Sequence, residues 1–111
     1  MSHQIYAKID GPIVMIGFGS IGKGTWPLID RHFEYDRARF TVIEPDPAQH
    51  GFLREHGLAM VETALTPDNF RAVLGGLLEP GTGFCVNLSV DTSSLDLMKF
   101  CREIGVPYID T

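Results

Sequence analysis

Residues 13–22 read Ile-Val-Met-Ile-Gly-Phe-Gly-Ser-Ile-Gly, an apolar run that breaks into glycines at 17, 19 and 22. Each glycine in this G-x-G-x-x-G spacing has a physical task. Gly17 permits a tight turn off a strand, Gly19 lets a bulky anion approach the main chain, and Gly22 lets the following helix pack closely on the strand. The N–H groups of Ser20, Ile21 and Gly22 fall in the first helical turn, where no intrahelical acceptor exists. A diphosphate can accept from all three, and the helix dipole adds to the attraction.

A second apolar run, Phe40-Thr41-Val42-Ile43, ends in Glu44. A carboxylate at that place can accept from both hydroxyls of an adenosine ribose. It also opposes a 2′-phosphate: at ~4 Å and an effective dielectric of ~20, each pair of like unit charges costs about 4 kcal/mol. No Arg or Lys occurs in the following turn, Pro45-Asp46-Pro47. The pattern therefore points to NAD rather than NADP, with Asp46 as the substitute for Glu44 if the strand runs further. The plainest alternative is a glycine turn that only lets strand and helix pack.

A second phosphate reading is sharper. Gly17 to Thr25 also spells G-x-x-x-x-G-K-G-T, the phosphate loop of some nucleoside monophosphate kinases, in which Lys23 would reach the phosphates and a hydroxyl would bind Mg²⁺. Gly24 replaces the usual Ser or Thr after the lysine, although Thr25 follows. Nothing downstream looks like a nucleoside-monophosphate segment, and Glu44 has no task in that mechanism.

These groups need a scaffold, and 111 residues suffice for one domain with one core. Candidate strands are Pro12–Gly17, Phe40–Pro45, Leu58–Glu62, Phe84–Ser89 and Val106–Asp110. Candidate helices are Ser20–Phe33, Pro47–His56, Pro67–Leu78 and Ser93–Ile104. The apolar runs are those of strands buried on both faces. Strand and helix alternate throughout, which predicts right-handed crossovers and an α/β doubly wound parallel sheet of order 3-2-1-4-5, a Rossmann fold that stops before its sixth strand.

The helix signals are local. Thr66 caps the third helix and Pro67 takes its first position. Gly57 and Gly105 follow the second and fourth, where a left-handed residue ends a helix. Asp46 caps the second, whose interior Gly51 weakens it. Pro27 predicts a kink near Lys23–Pro27 without a break.

Nine basic against fourteen acidic side chains leave a formal charge of −5, which disfavours a nucleic-acid or anionic-membrane binder. No apolar stretch is long enough to span a membrane, and no secretory signal opens the chain. The two cysteines, Cys85 and Cys101, are too few for a disulfide scaffold. The cytoplasm is the expected compartment, with both thiols reduced, buried and inert. His3, His32, His50 and His56 lack metal-ligand spacing and read as surface or cap residues, and Trp26 reads as packing. No metal is expected.

At the switch between the first and fourth strands, Asn87, Leu88 and Ser89 could line the ribose–nicotinamide side. Alternatively Ser89 and Asp91 only shape the turn, with Thr92 or Ser93 capping the next helix. Thr63, Ala64 and Leu65 could flank the adenine, or simply pack their loop.

Residues 9–22, residues 83–98 (which include Asn87-Leu88-Ser89-Val90-Asp91-Thr92-Ser93-Ser94) and the closing Tyr108-Ile109-Asp110-Thr111 together resemble the bacterial homospermidine synthase family, nearly end to end. The Asn-Leu-Ser-Val-Asp-Thr-Ser-Ser segment is much more specific than the glycine loop. The resemblance implies an enzyme that joins two putrescines into homospermidine and ammonia, with tightly held NAD as transient hydride acceptor and donor. It further implies a Rossmann-type NAD domain joined to a substrate domain, in a homodimer. Asp110 and Thr111 then sit where a substrate amine would come close, or are simply the end of the fifth strand, the reading favoured for the chain by itself. On that basis residues 1–111 are expected to be the cofactor part of a longer enzyme, inactive alone, with its catalytic residues elsewhere. The competing expectation is a stand-alone NAD-binding module that senses NAD or engages a partner.

Overall fold

The computed structural model describes residues 7–89 and 94–110. In chain order the strands are β1 (Ala7–Lys8), β2 (Ile13–Ile16), β3 (Phe33–Glu34), β4 (Phe40–Ile43), β5 (Ala59–Val61), β6 (Phe84–Asn87) and β7 (Tyr108–Asp110). The helices are α1 (Gly19–His32), α2 (His50–Glu55), α3 (Phe70–Leu77) and α4 (Ser94–Ile104). Five strands form a parallel sheet in the order β5-β4-β2-β6-β7. Counted along the chain, that is the expected 3-2-1-4-5.

Side chains alternate across the sheet with period two, and both faces are covered. Ile13, Met15, Phe40, Val42 and Val86 face Trp26 of α1 and Leu53 of α2. Val14, Ile16, Ile43 and Cys85 face Leu74 of α3 and Leu97, Phe100 and Cys101 of α4. The central strand β2 is buried along its whole length, which explains why it reads as an unbroken apolar run.

The helix ends follow their local chemistry, with corrections. Helix α1 continues through Pro27. Gly57 and Gly105 both take φ +71°. Behind them the Leu58 N–H donates to Leu53 C=O and the Val106 N–H to Cys101 C=O, each at 2.9 Å, the six-to-one bond of a glycine-terminated helix. The expected helix from Pro47 is a 3₁₀ turn, Pro47–Gln49, followed by the six-residue α2. Asp46 caps the 3₁₀ turn by accepting the Ala48 N–H at 2.9 Å.

The third helix starts at Phe70, not Pro67. Thr66 and Asn69 bond reciprocally: the Asn69 carboxamide accepts the Thr66 N–H at 2.7 Å, and the Thr66 hydroxyl accepts the Asn69 N–H at 3.2 Å. That pair closes residues 66–69 into a turn, because an asparagine side chain competes with helix for nearby main-chain groups. Thr66 does cap, one turn earlier than the helix. The parallel pairing of β1 with β3 had no sequence signal at all.

Candidate functional site

The carboxyl ends of β2, β4 and β6 meet at residues 17–19, 44–46 and 87–89. Past the strand ends the ladders continue for one more bond. The Gly17 N–H donates to Ile43 C=O at 2.7 Å, the Leu88 N–H to Ile16 C=O at 2.8 Å and the Glu44 N–H to Val61 C=O at 3.0 Å. These bonds fix the glycine loop relative to both flanking loops.

Gly17 takes the tight turn expected of it, and Gly22 does not pack against the strand as expected. Gly17 has φ +82°, and a Cβ there would lie 3.1 Å from the Ser89 nitrogen, so only glycine lets these two loops touch. Gly19 has φ +28°, and the space where its side chain would stand is open to 4 Å. At Gly22 the close neighbour is not the strand. A Cβ would meet the Phe18 ring at 2.9 Å, because Phe18, only 2% exposed, folds back over the first turn of α1.

Helix α1 begins at Gly19; its N-cap residue, Phe18, supplies no side-chain cap, and no acidic residue stands in its first turn. With Phe18 as N-cap, the N–H groups of Gly19, Ser20 and Ile21 have no intrahelical acceptor. That of Gly22, expected among the unpaired donors, is the first to bond back within the helix, to the Phe18 C=O, because the helix starts one residue earlier than Ser20. Lys23, which a kinase-type loop would direct to phosphates, instead lies over the Phe52 ring, 5.8 Å from its centroid.

Glu44 lies one residue past β4 and is 9% exposed. One carboxylate oxygen accepts the Phe18 N–H at 2.8 Å and the other accepts the Asp46 N–H at 2.9 Å. A carboxylate offers about four acceptor positions, so about two remain for hydroxyl donors. Strand β4 ends at Ile43 and does not run on to Asp46, whose carboxylate caps the following 3₁₀ turn.

On the β6 side the expected residues divide. Leu88 continues the alternation of Val86, and its side chain sits in the core beneath α1 and α2. Only its main chain borders the cleft. Asn87 is 1% exposed; its carboxamide oxygen accepts the Ser89 N–H at 3.0 Å and its amide donates to the Tyr108 hydroxyl at 3.1 Å. Ser89 is half-buried beside Gly17. Ala64 is exposed, and its carbonyl accepts the Asn69 amide at 3.0 Å. Thr63 is half-buried, and Leu65 packs in the core beneath α3 and α4. Asp91, Thr92, Ser93 and Thr111, and the side chains of Ser20 and Ile21, lie outside the described residues.

Both cysteines are fully buried, and the neighbouring Cys101 thiol, with burial second, pushes the Cys85 thiol well above its ordinary range. Among the described residues, no three His, Cys, Asp or Glu side chains come together as metal ligands, and no helix is long and apolar enough to cross a membrane. His56, expected as a surface or cap residue, is the C-cap of α2: its ring Nδ1 lies 2.9 Å from the Phe52 carbonyl oxygen. The ring is half-buried, stacked on Phe52 at 4.2 Å and edge-on to Trp26.

Residues 13–111 match the family of the saccharopine dehydrogenase NADP binding domain. The chain belongs to that family. It is 55% identical over 109 residues to the homospermidine synthase of Mesorhizobium japonicum, covering 96% of this chain and 22% of that protein. Against the homospermidine synthase of Blastochloris viridis it is 56% identical, covering 96% and 23%. Among solved structures, the homospermidine synthase from Legionella pneumophila in complex with NAD superposes with a TM-score of 0.83 at 30% identity, covering 93% of this chain and 23% of that one. The chain thus spans less than a quarter of the length of these relatives. Membership of a saccharopine dehydrogenase dinucleotide family accounts for the sheet order and for the glycine loop.

Proposed function

We propose that this chain binds NAD as the cofactor domain of a homospermidine synthase. One juxtaposition carries the reading: the first turn of α1, whose Gly19, Ser20 and Ile21 N–H groups lack intrahelical acceptors, has clear space at Gly19, and the Glu44 carboxylate at the end of the neighbouring strand holds its N-cap residue Phe18. In this arrangement Gly19, Ser20 and Ile21 offer main-chain donors to the diphosphate, and Gly22 closes the first helical turn behind them. Glu44 accepts from the adenosine ribose, Ala64 borders the adenine, and the Asn87–Ser89 loop borders the nicotinamide half. When bound, NAD supplies a reversible hydride acceptor. The chain's own residues bind and orient it.

The family description names NADP, whereas the Legionella relative holds NAD. Glu44 favours NAD here, because a 2′-phosphate would stand against a carboxylate already committed to two main-chain donors. The likeness to homospermidine synthases supports putrescine as the diamine substrate and polyamine formation as the reaction. That chemistry needs more chain than these 111 residues, so the chain alone is expected to form no homospermidine from putrescine and NAD.

The test is thermal. NAD at 100 times its dissociation constant should add ~2.7 kcal/mol, and the shift should persist without Mg²⁺. No shift at saturating NAD removes the reading. A shift that depends on Mg²⁺ favours the kinase-type loop.

A further inference from the structure

Tyr108 is the centre of a polar cluster that the glycine loop does not explain. Its hydroxyl receives the Asn87 amide at 3.1 Å and donates to the Asp110 carboxylate at 3.2 Å. It also bonds Ser94, the first residue of α4. A phenolic oxygen has one proton to give and lone pairs to receive, so these three partners saturate it. The opposite end of Asn87 holds the Ser89 N–H at 3.0 Å. The Ser89 main chain in turn lies where a Cβ on Gly17 would meet it at 3.1–3.2 Å.

The cluster joins three elements at one edge. Asn87 pairs in register with Ile16 on one side and Asp110 on the other, so it stands between the glycine strand β2 and the outer strand β7. The Tyr108 hydroxyl reaches both ends of the connection from β6 to α4: Ser89 through Asn87, and Ser94 directly. The Asn87 side chain is buried and bonded at both ends, so it has little to give a ligand directly.

We propose that Tyr108 and Asn87 are positioning residues for the nicotinamide half of the dinucleotide site. Acting through the Ser89 main chain, they set the gap between the β6 loop and Gly17. This rests on the NAD reading above and adds the residues that shape one half of the site. The adenosine half is held from the other side, by Glu44 beyond β4, and shares no residue with the cluster.

The geometry makes the effect selective. Loosening the Asn87–Ser89 turn should weaken a ligand that crosses to the β6 side and spare one that stops at the diphosphate. The experiment compares NAD with ADP by calorimetry on the chain carrying Tyr108→Phe, which keeps the ring in the core and removes the hydroxyl. NAD should bind about tenfold more weakly (roughly 1.4 kcal/mol), with ADP changing less than twofold. Asp110→Ala, at an exposed position, should give a smaller loss in the same direction. Asn87→Ala should weaken NAD at least as much as Tyr108→Phe, and the double variant should be no worse than Asn87→Ala alone, because both act along one path.

Equal losses for NAD and ADP would mean a general structural role and overturn the proposal. So would unchanged NAD binding in Tyr108→Phe, or additive losses in the double variant. If Tyr108→Phe fails to fold, Asp110→Ala decides: a loss confined to NAD supports the proposal, and no loss overturns it. An unsubstituted chain that binds neither ligand removes the nucleotide reading, and this inference with it. ADP binding without tighter NAD binding leaves that reading standing for the adenosine half and overturns the present inference alone.

Discussion

The Glu44 carboxylate reaches across 26 positions of sequence to accept the Phe18 N–H at 2.8 Å. It thereby ties the middle of the glycine loop to the end of the neighbouring strand before any ligand arrives. The other oxygen holds Asp46, so a single side chain organises two loops of the site. Holding a loop in its bound geometry beforehand lowers the entropy lost on binding.

Glu44→Gln should therefore act on both stability and specificity. Glutamine has one acceptor oxygen, so one of the two N–H groups faces an amide instead. Leaving a buried donor unpaired costs about 1–3 kcal/mol, and for a domain of this size each kcal/mol moves Tm by roughly 4–8 °C. Removing the charge should also bring the NADP dissociation constant closer to that of NAD. Melting curves and paired titrations check both; unchanged Tm with an unchanged NAD/NADP ratio would contradict the assignment.

Gly19 and Gly83 separate binding from folding. At Gly83 a Cβ would come 2.0 Å from the Pro12 carbonyl oxygen, and φ is +81°. Gly83→Ala should cost about 3 kcal/mol or more through clash and strain together. At Gly19 nothing stands within 4 Å, so Gly19→Ala should cost only about 1–2 kcal/mol of backbone strain. Its methyl group would occupy the diphosphate's approach, and NAD binding should fall at least tenfold while circular dichroism stays native. Intact NAD binding in Gly19→Ala would move the anion site elsewhere.

Much of this arrangement was legible in local pattern. The G-x-G-x-x-G run, the alternation of strands and helices, and the glycines at 57 and 105 are signals within a few residues of what they control. The features missed depend on contacts distant in sequence. Gly22 is glycine because of Phe18, whose ring direction no spacing rule gives. The Phe70 start of α3 was set by Asn69 folding back on Thr66, in competition with a proline that favoured an earlier start. Pairing of Ala7–Lys8 with Phe33–Glu34 involves two residues on each side and leaves no period to detect. The role of Tyr108 needed the register of β6 against β7. Asn87 ends β6 and Leu88 follows it, within the apolar run read as a strand to Ser89, but only the fold shows that their side chains turn inward.

The thiols should be silent while the chain is folded. Cys85 and Cys101 are fully buried in the core under α3 and α4, and only the exposed thiolate reacts. A thiol reagent at mildly alkaline pH should label neither cysteine within minutes in buffer and both at once in denaturant. Rapid labelling of either in the folded chain would show that the α4 face opens locally.

Tyr35 and Tyr108 give the fold an alkaline limit. Burial, chiefly, raises both phenols above the ordinary value of 10.0, and for Tyr35 the Asp30 carboxylate adds to the rise. Below pH 10 each phenol keeps its proton in folded and unfolded chains alike, so the stability is fully present. As pH climbs past 10 the unfolded chain releases its protons first, which favours unfolding until the folded values are passed. Tm should therefore fall above pH 10, with tyrosinate absorbance rising later than for the denatured chain. Tyr108→Phe should remove one late step from that titration and flatten the fall in Tm. If both phenols ionise at their ordinary value with Tm unchanged, the Tyr108 hydroxyl is not held in the cluster beside Asn87, and its positioning role fails with it.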